Sequence, residues 1–339
     1  MAALKRIAAD DEDLIRQLVF SANLASQDAA GDLTHSMSTE DVLRGLKGTP
    51  QARSEFYALL DTETDADFAL GFIQANIPLV DNRHAVDVDV FFDAELAPIP
   101  GEQPERPEVY EELVEQACRL TADLGRTHLR LWKELPTQGP FAPYDTPPAG
   151  FHRVMEEVLG FLPLPVPVRE PAAAAPQTFS VEIVEDMAYS PGQLAAVLKL
   201  YEQFDQDCPT GTLSNRTTSW TPEQIEILRL DGLKHKDQHL SIFLREPGGE
   251  IVGMSVVMHK HTHERSVAAA GSTIIERSWR GKGLASFLKA QALTAASRRW
   301  PAVSRVATGF EVSNQPIAHA NAALGFVPQS RTVVFEKAV

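Results

Sequence analysis

The chain has 339 residues, comfortable for two domains, with 44% hydrophobic content and a formal charge of −15. That acidity argues against a general nucleic-acid binder, which needs a basic face to exchange with phosphate counterions, and suits a small or cationic partner. Cys118 and Cys208 stand too far apart for a metal spacing and imply a reduced, cytoplasmic setting, and no apolar run approaches membrane-spanning length.

Taken in chain order, Asp10, Asp11, Glu12 and Asp13 interrupt the N-terminus before any signal-like apolar core develops. "FYALLD" and "FALGFIQANI", residues 56–77, predict a hairpin, and "VDVDVFF", residues 86–92, a further strand. "APIPGEQPERPEVYEE" follows at 97–112, then a helix from Val109 to about Leu124. "LPLPVPVREPAAAAPQ", Leu162 to Gln177, is semi-extended, because its prolines remove donors and disfavour helix in their neighbours. It divides the chain into 1–165, a linker at 166–177, and 178–339.

The second half repeats the first. "LSIFLR" and "IVGMSVVM", residues 240–258, predict a hairpin closed by Pro247-Gly248-Gly249. "VAAAGSTII", Val267–Ile275, is the next strand, followed by a helix to about Arg299 and the strand "SRVATGF" at 304–310. "EVLGFLP" at 157–163 echoes "AALGFVP" at 322–328. The expectation is an α+β domain made twice, each copy running helix, hairpin, strand, helix, strand, helix, strand.

Between the strand ending at Ile275 and the next helix lies "RSWRGKGLA", Arg277–Ala285. Leu284, Phe287, Leu288 and Ala292 then recur at i, i+3, i+4 and i+8, the period of an amphipathic helix. The first amides of a helix have no partner within it, and its dipole places partial positive charge there. Gly281 and Gly283 allow close approach of a phosphate, while Arg280 and Lys282 add charge.

Arg280, Gly283 and Ala285 fill the fixed positions of R-x-x-G-x-A, and "NQPIAHANAALGF" follows at 314–326. In these motifs the second half resembles the GNAT acetyltransferases, above all tandem-domain GNAT proteins of actinobacteria, which share the "DCPTG" segment at 207–211. The resemblance implies two tandem GNAT domains, each a mixed, mostly antiparallel sheet flanked by helices. It also implies acetyl-CoA as cosubstrate and transfer of its acetyl group to a primary amine of a small molecule by direct attack. The cofactor-binding residues implied are Ile274, Ile275, Arg280, Gly281, Lys282, Gly283, Leu284, Ala285, Asn314 and Asn321. Backbone amides around Ile274, Ile275 and Arg277 would polarise the thioester carbonyl. Where the family keeps a tyrosine acid, this chain has Asn321.

For the base that deprotonates the amine, the candidates are Glu311, Glu276 and Asp207, with His261 and His263 behind them. No third ligand accompanies the histidines, so no metal site is expected. In the first half, Pro98, Pro100, Pro104 and Pro107 lack the amides a phosphate needs, and Glu102, Glu105 and Glu108 would repel it. That half is read as a degenerate copy without cofactor. A mycothiol-synthase-like enzyme, a lysine acetyltransferase of proteins and a non-catalytic acyl-CoA sensor stand as alternatives, as do monomer and homodimer.

Overall fold

The computed structural model describes residues 2–32, 36–62, 68–138, 146–166, 179–217, 219–261 and 265–339. Most of the proline-rich linker and His263 therefore lie outside the described residues. In chain order the first elements are β1 (Ala2–Arg6), α1 (Glu12–Ala30), α2 (Thr39–Lys47), β2 (Ala52–Asp61), β3 (Ala69–Pro78), β4 (Ala85–Phe92) and α3 (Pro107–Asp123). Then come β5 (His128–Pro136), β6 (His152–Pro163), β7 (Ser180–Glu185), α4 (Pro191–Asp207), α5 (Pro222–Lys234), β8 (Gln238–Arg245) and β9 (Ile251–His259). The last are β10 (Val267–Ile275), α6 (Leu284–Arg299), β11 (Arg305–Glu311), α7 (Gln315–Ala323) and β12 (Val327–Ala338).

Two compact units form, and they do not follow chain order. Unit 1 comprises Met1–Glu157, Thr210–Thr218 and Gln329–Val339, whereas unit 2 comprises Val158–Pro209 and Ser219–Pro328. The strands of unit 1 run β1-β2-β3-β4-β5-β12, and those of unit 2 run β6-β11-β10-β9-β8-β7. The last strand of the chain thus completes the first sheet, pairing with β5 antiparallel from Ser330↔Pro136 to Ala338↔His128. The later part of β6 borders β11 in the second sheet. Gly160 there lies so close to the Val327 carbonyl oxygen that a Cβ would collide with it.

Each sheet buries both faces. In unit 1, Val86, Val88 and Val90 pack with Val109, Leu113 and Ala117 of α3. Leu14, Leu18 and Val42 of α1 and α2 cover Phe56 and Phe72 on the other face. In unit 2, Leu284, Leu288 and Ala292 of α6 lie against Ile242, Leu244 and Val252. Val197 and Leu200 of α4 and Ile225 of α5 meet Phe243, Met254 and Ile274 on the opposite face. Helices α4 and α5 start at capping boxes, Ser190 with Gln193 and Thr221 with Gln224, each with proline at the first helical turn. Among the described residues no helix is long and apolar enough to cross a membrane.

The expected hairpins, strands and long helices of both halves are present, each sheet being preceded by an additional strand, β1 or β7. The described residues between β5 and β6 form no helix, contrary to the repeat. Pro136, Pro147 and Pro148 lack the amide hydrogens that a helix there would need. The "LGF" echo is not a structural repeat either. Leu159, Gly160 and Phe161 lie within β6, whereas Leu324 and Gly325 end α7, with Gly325 at φ 83°.

One feature recurs in both units and positions the site. Strands β4 and β5 pair in parallel only from Ala85↔His128 to Val88↔Leu131, and β10 and β11 only from Val267↔Arg305 to Ala269↔Ala307. Beyond those pairs each couple diverges, because β4 and β10 stay on β3 and β9.

Candidate active site

In unit 2 the edge of β10 that faces β11 has no strand partner after Ala269, and the register with β9 shifts between Ala270 and Thr273. The strand ends in a single 3-10 turn, Arg277–Trp279, and then the glycine turn. Gly281 and Gly283 adopt φ 75° and 74°, left-handed conformations that glycine enters without strain. Gly283 is the N-cap of α6, and no side chain caps the helix. The amides of Gly281, Lys282, Gly283, Leu284 and Ala285 therefore meet no acceptor among the described residues and form an open cradle of donors. Leu284 itself is buried, so its contribution is its backbone amide. Lys282 holds its ammonium 4.4 Å from the centre of the Trp279 ring, which packs edge-on to Phe179.

The two arginines of the turn face a carboxylate. Arg277 and Arg280 each place a guanidinium nitrogen 2.6 Å from Asp207, at the end of α4, and hold its carboxyl below the usual range. A carboxylate so held accepts a proton poorly, which argues against the expected base role of Asp207. Arg280 also donates to the Ile275 carbonyl at 2.9 Å. The Arg277 amide donates to Gln203 at 3.1 Å and so is not free to polarise a carbonyl. Glu276 is paired with Lys199 at 2.6 Å.

Glu311 ends β11, at the same end of the parallel pair as Ile275. Its side chain is 7% exposed and accepts from the Ser313 amide at 2.8 Å and from the Ser313 hydroxyl. No cationic side chain pairs with it among the described residues. His261 lies beyond His259, at the end of β9 away from the glycine turn, since Gly253 and not Met258 pairs with Ile275. Trp220 donates to Asp205 and packs on Tyr201, an ordinary core role.

Both asparagines have roles within the fold. Asn314 caps α7, accepting from the Ile317 amide at 3.4 Å. Asn321 is fully buried and accepts from the Lys289 ammonium at 2.7 Å, while its Nδ2 has no partner. Lys289, which the sequence reading overlooked, also donates to Thr308 at 3.2 Å, and burial pushes its ammonium down to about 8. The signal was available: Lys289 stands four residues from both Ala285 and Leu293, on the apolar face of α6. The "DCPTG" segment also departs from expectation, since Thr210 and Gly211 belong to unit 1.

The corresponding turn of unit 1 differs in its donors. Helix α3 opens at Pro107, which has no amide hydrogen, and Glu108 in its first turn pairs with Arg106 at 3.0 Å.

A donor cradle at a helix N-terminus, beside parallel strands that part, is the arrangement that the comparisons with known proteins bear on. Residues 197–326 match the model of the acetyltransferase (GNAT) family. The fold extends over the whole chain. A tandem GNAT protein from the clavulanic acid biosynthesis pathway superposes with a TM-score of 0.72 at 20% identity, covering 100% of this chain and 98% of its own. A GCN5-related N-acetyltransferase from Sphaerobacter thermophilus gives 0.66 at 16%, covering 99% and 95%. A GNAT-family acetyltransferase from Colwellia psychrerythraea gives 0.56 at 11%, covering 99% of each chain. No curated protein sequence matches the chain.

Proposed function

We propose that unit 2 is an N-acetyltransferase that moves the acetyl group of acetyl-CoA to the primary amine of a small molecule by direct attack. The observation that carries this reading is the run of unpartnered amides from Gly281 to Ala285 at the start of α6. These amides fit a pyrophosphate: both glycines are left-handed, and a Cβ at Gly281 would meet open space. Lys282 adds charge to the same turn. Arg277 and Arg280, clamped by Asp207, hold the turn in shape.

Acetyl-CoA supplies the activated thioester. The unpaired edge of β10 up to Ile274 and Ile275 offers backbone donors to its pantetheine arm and carbonyl. Glu311, at the mouth of the diverging strands and with no cationic side chain paired to it among the described residues, takes the proton of the incoming ammonium. Asn321 has no acidic proton near neutral pH, so the departing thiolate is protonated by water.

Following thiol release from acetyl-CoA with a panel of small primary amines tests this. Turnover with at least one amine is expected, with kcat lowered about 100-fold or more in Glu311→Gln and CoA affinity unchanged. Binding of CoA without turnover on any amine would favour a sensor, and an unaltered pH–rate profile in Glu311→Gln would move the base elsewhere.

A further inference from the structure

The α1 face of the sheet in unit 1 changes character across its width. Phe56, Ala58 and Phe72 form an apolar cluster with α1 and α2. Val88, Val90 and Phe92 of β4 face α3, so strand alternation turns Asp87, Asp89 and Phe91 toward α1. Gln74 of β3 pairs with Asp89 in the ladder and shares that side. A polar strip therefore occupies a sheet face that an ordinary core would fill with aliphatic side chains.

Where β4 and β5 part, beyond Val88 and Leu131, a cavity of about 260 Å³ opens. It is lined by Asp28 of α1, Gln74, Asp89, and Trp132, Lys133 and Glu134 of β5, with Met37 and Phe91 as apolar walls. Glu134 is engaged, accepting from Ser26 at 3.0 Å and Ser330 at 2.6 Å. The Trp132 indole donates to Asp87 at 2.9 Å, which fixes its ring as a wall. Lys133 lies 4.4 Å from the centre of the Tyr110 ring and 3.5 Å from the Val90 carbonyl oxygen.

The side chains of Asp28, Asp89 and Gln74 are different, for they hydrogen-bond to none of the described residues. Burial raises the carboxyl of Asp28 and pushes that of Asp89 up to about 7. The charged groups that bear on Asp89 are Lys133, Asp87 and Glu134. Burial also pushes Lys133 down to about 7, so it is a weak counter-ion. The cavity thus presents more carboxylate than cation, with an amide and aromatic walls, and a second positive group would relieve the cost of ionising Asp89.

We propose that unit 1 binds a small organic cation in this cavity. The ligand is a primary amine whose ammonium is taken by Asp89 and Asp28, with the Gln74 amide oxygen as a further acceptor and its carbon body against Trp132 and Phe91. Anions are disfavoured by the carboxylates, and the volume lies below the ~300–1,000 Å³ of pockets for drug-sized ligands. The ligand is therefore about the size of an amino acid. The proposal stands independently of the reading of unit 2.

Isothermal titration of the full chain with phenethylamine, tyramine and cadaverine tests it, with 2-phenylethanol as the uncharged control. At least one amine is expected to bind with a site that weakens ten-fold or more in Asp89→Asn and in Asp28→Asn and persists in Glu311→Gln. The alcohol is expected not to bind. Asp28 lies on a different element, so Asp28→Asn keeps the test valid if Asp89→Asn melts early. No binding by any of the amines, equal binding of the alcohol, or full affinity in a folded aspartate variant would overturn the proposal. So would acetyl-CoA binding that is lost in the same two variants.

Discussion

Asp207 and Glu311 are carboxylates of one unit, and their neighbours give them opposite work. Asp207 meets two guanidiniums, which hold it ionised and make it a clamp on the glycine turn. Glu311 accepts only from Ser313 among the described residues, and it is the base in the proposed reaction. The sequence ranked Glu311 first and kept Asp207 as a candidate, because ion pairing depends on side chains 70 and more residues apart. Lys289 supplies a separate test at this scale. In the unfolded chain its ammonium keeps its ordinary value of 10.5, whereas burial depresses it to about 8. Between those values the unfolded state binds more protons, so the stability of unit 2 rises as pH climbs from about 8 toward 10.5. The shift corresponds to about 3 kcal/mol. Denaturant unfolding across that window is expected to show this rise in the wild type and a smaller one in Lys289→Met, and parallel curves would contradict it.

At the scale of the element, the strand, glycine pair and helix of residues 267–299 were legible residue by residue. A β-branched run gives way to two glycines and then to helical spacing, and the bounds of β10 and the start of α6 at Leu284 fall where those signals change. The N-caps Ser190 and Thr221, each with proline next and glutamine three residues on, carried equally plain signals. The repeat misled where it leaned on a tripeptide. "LGF" suits a strand as well as a helix end, and only the partner of Gly160 decides which. Pro147 and Pro148, between β5 and β6, carried a plainer signal against a helix, since donors removed from a backbone cannot be restored by tertiary packing.

The partner of β5 was not legible. Its neighbour is the last strand of the chain, paired over the whole of β5, and nothing local in "VPQSRTVVFEKA" names β5 as its target. This topology makes a prediction. Ending the chain at Pro328 removes that ladder and leaves one edge of β5 unpaired. Hydrogen exchange is expected to show marked loss of protection in β5 and α3 of the shortened chain, and undiminished protection there would contradict the strand exchange.

At the scale of the whole molecule, one fold appears twice with different equipment at the place where parallel strands part. In unit 2 the helix beyond the divergence opens on free amides, whereas in unit 1 it opens on Pro107 and Glu108 and the divergence itself holds carboxylates. On the readings proposed above, the same backbone plan offers an anion a seat in one unit and a cation a seat in the other. A net charge of −15 is compatible with cationic partners without saying where they sit.

The central claim is that the amides opening α6 hold the diphosphate of acetyl-CoA. Calorimetric titration of acetyl-CoA into the wild-type chain and into Gly283→Asp tests it most directly, with melting temperatures compared to show that both are folded. The account predicts one molecule bound per wild-type chain and affinity lowered at least about 100-fold, roughly 2.7 kcal/mol, in the variant. Equal affinity in a folded Gly283→Asp, or two molecules bound per wild-type chain, would contradict it.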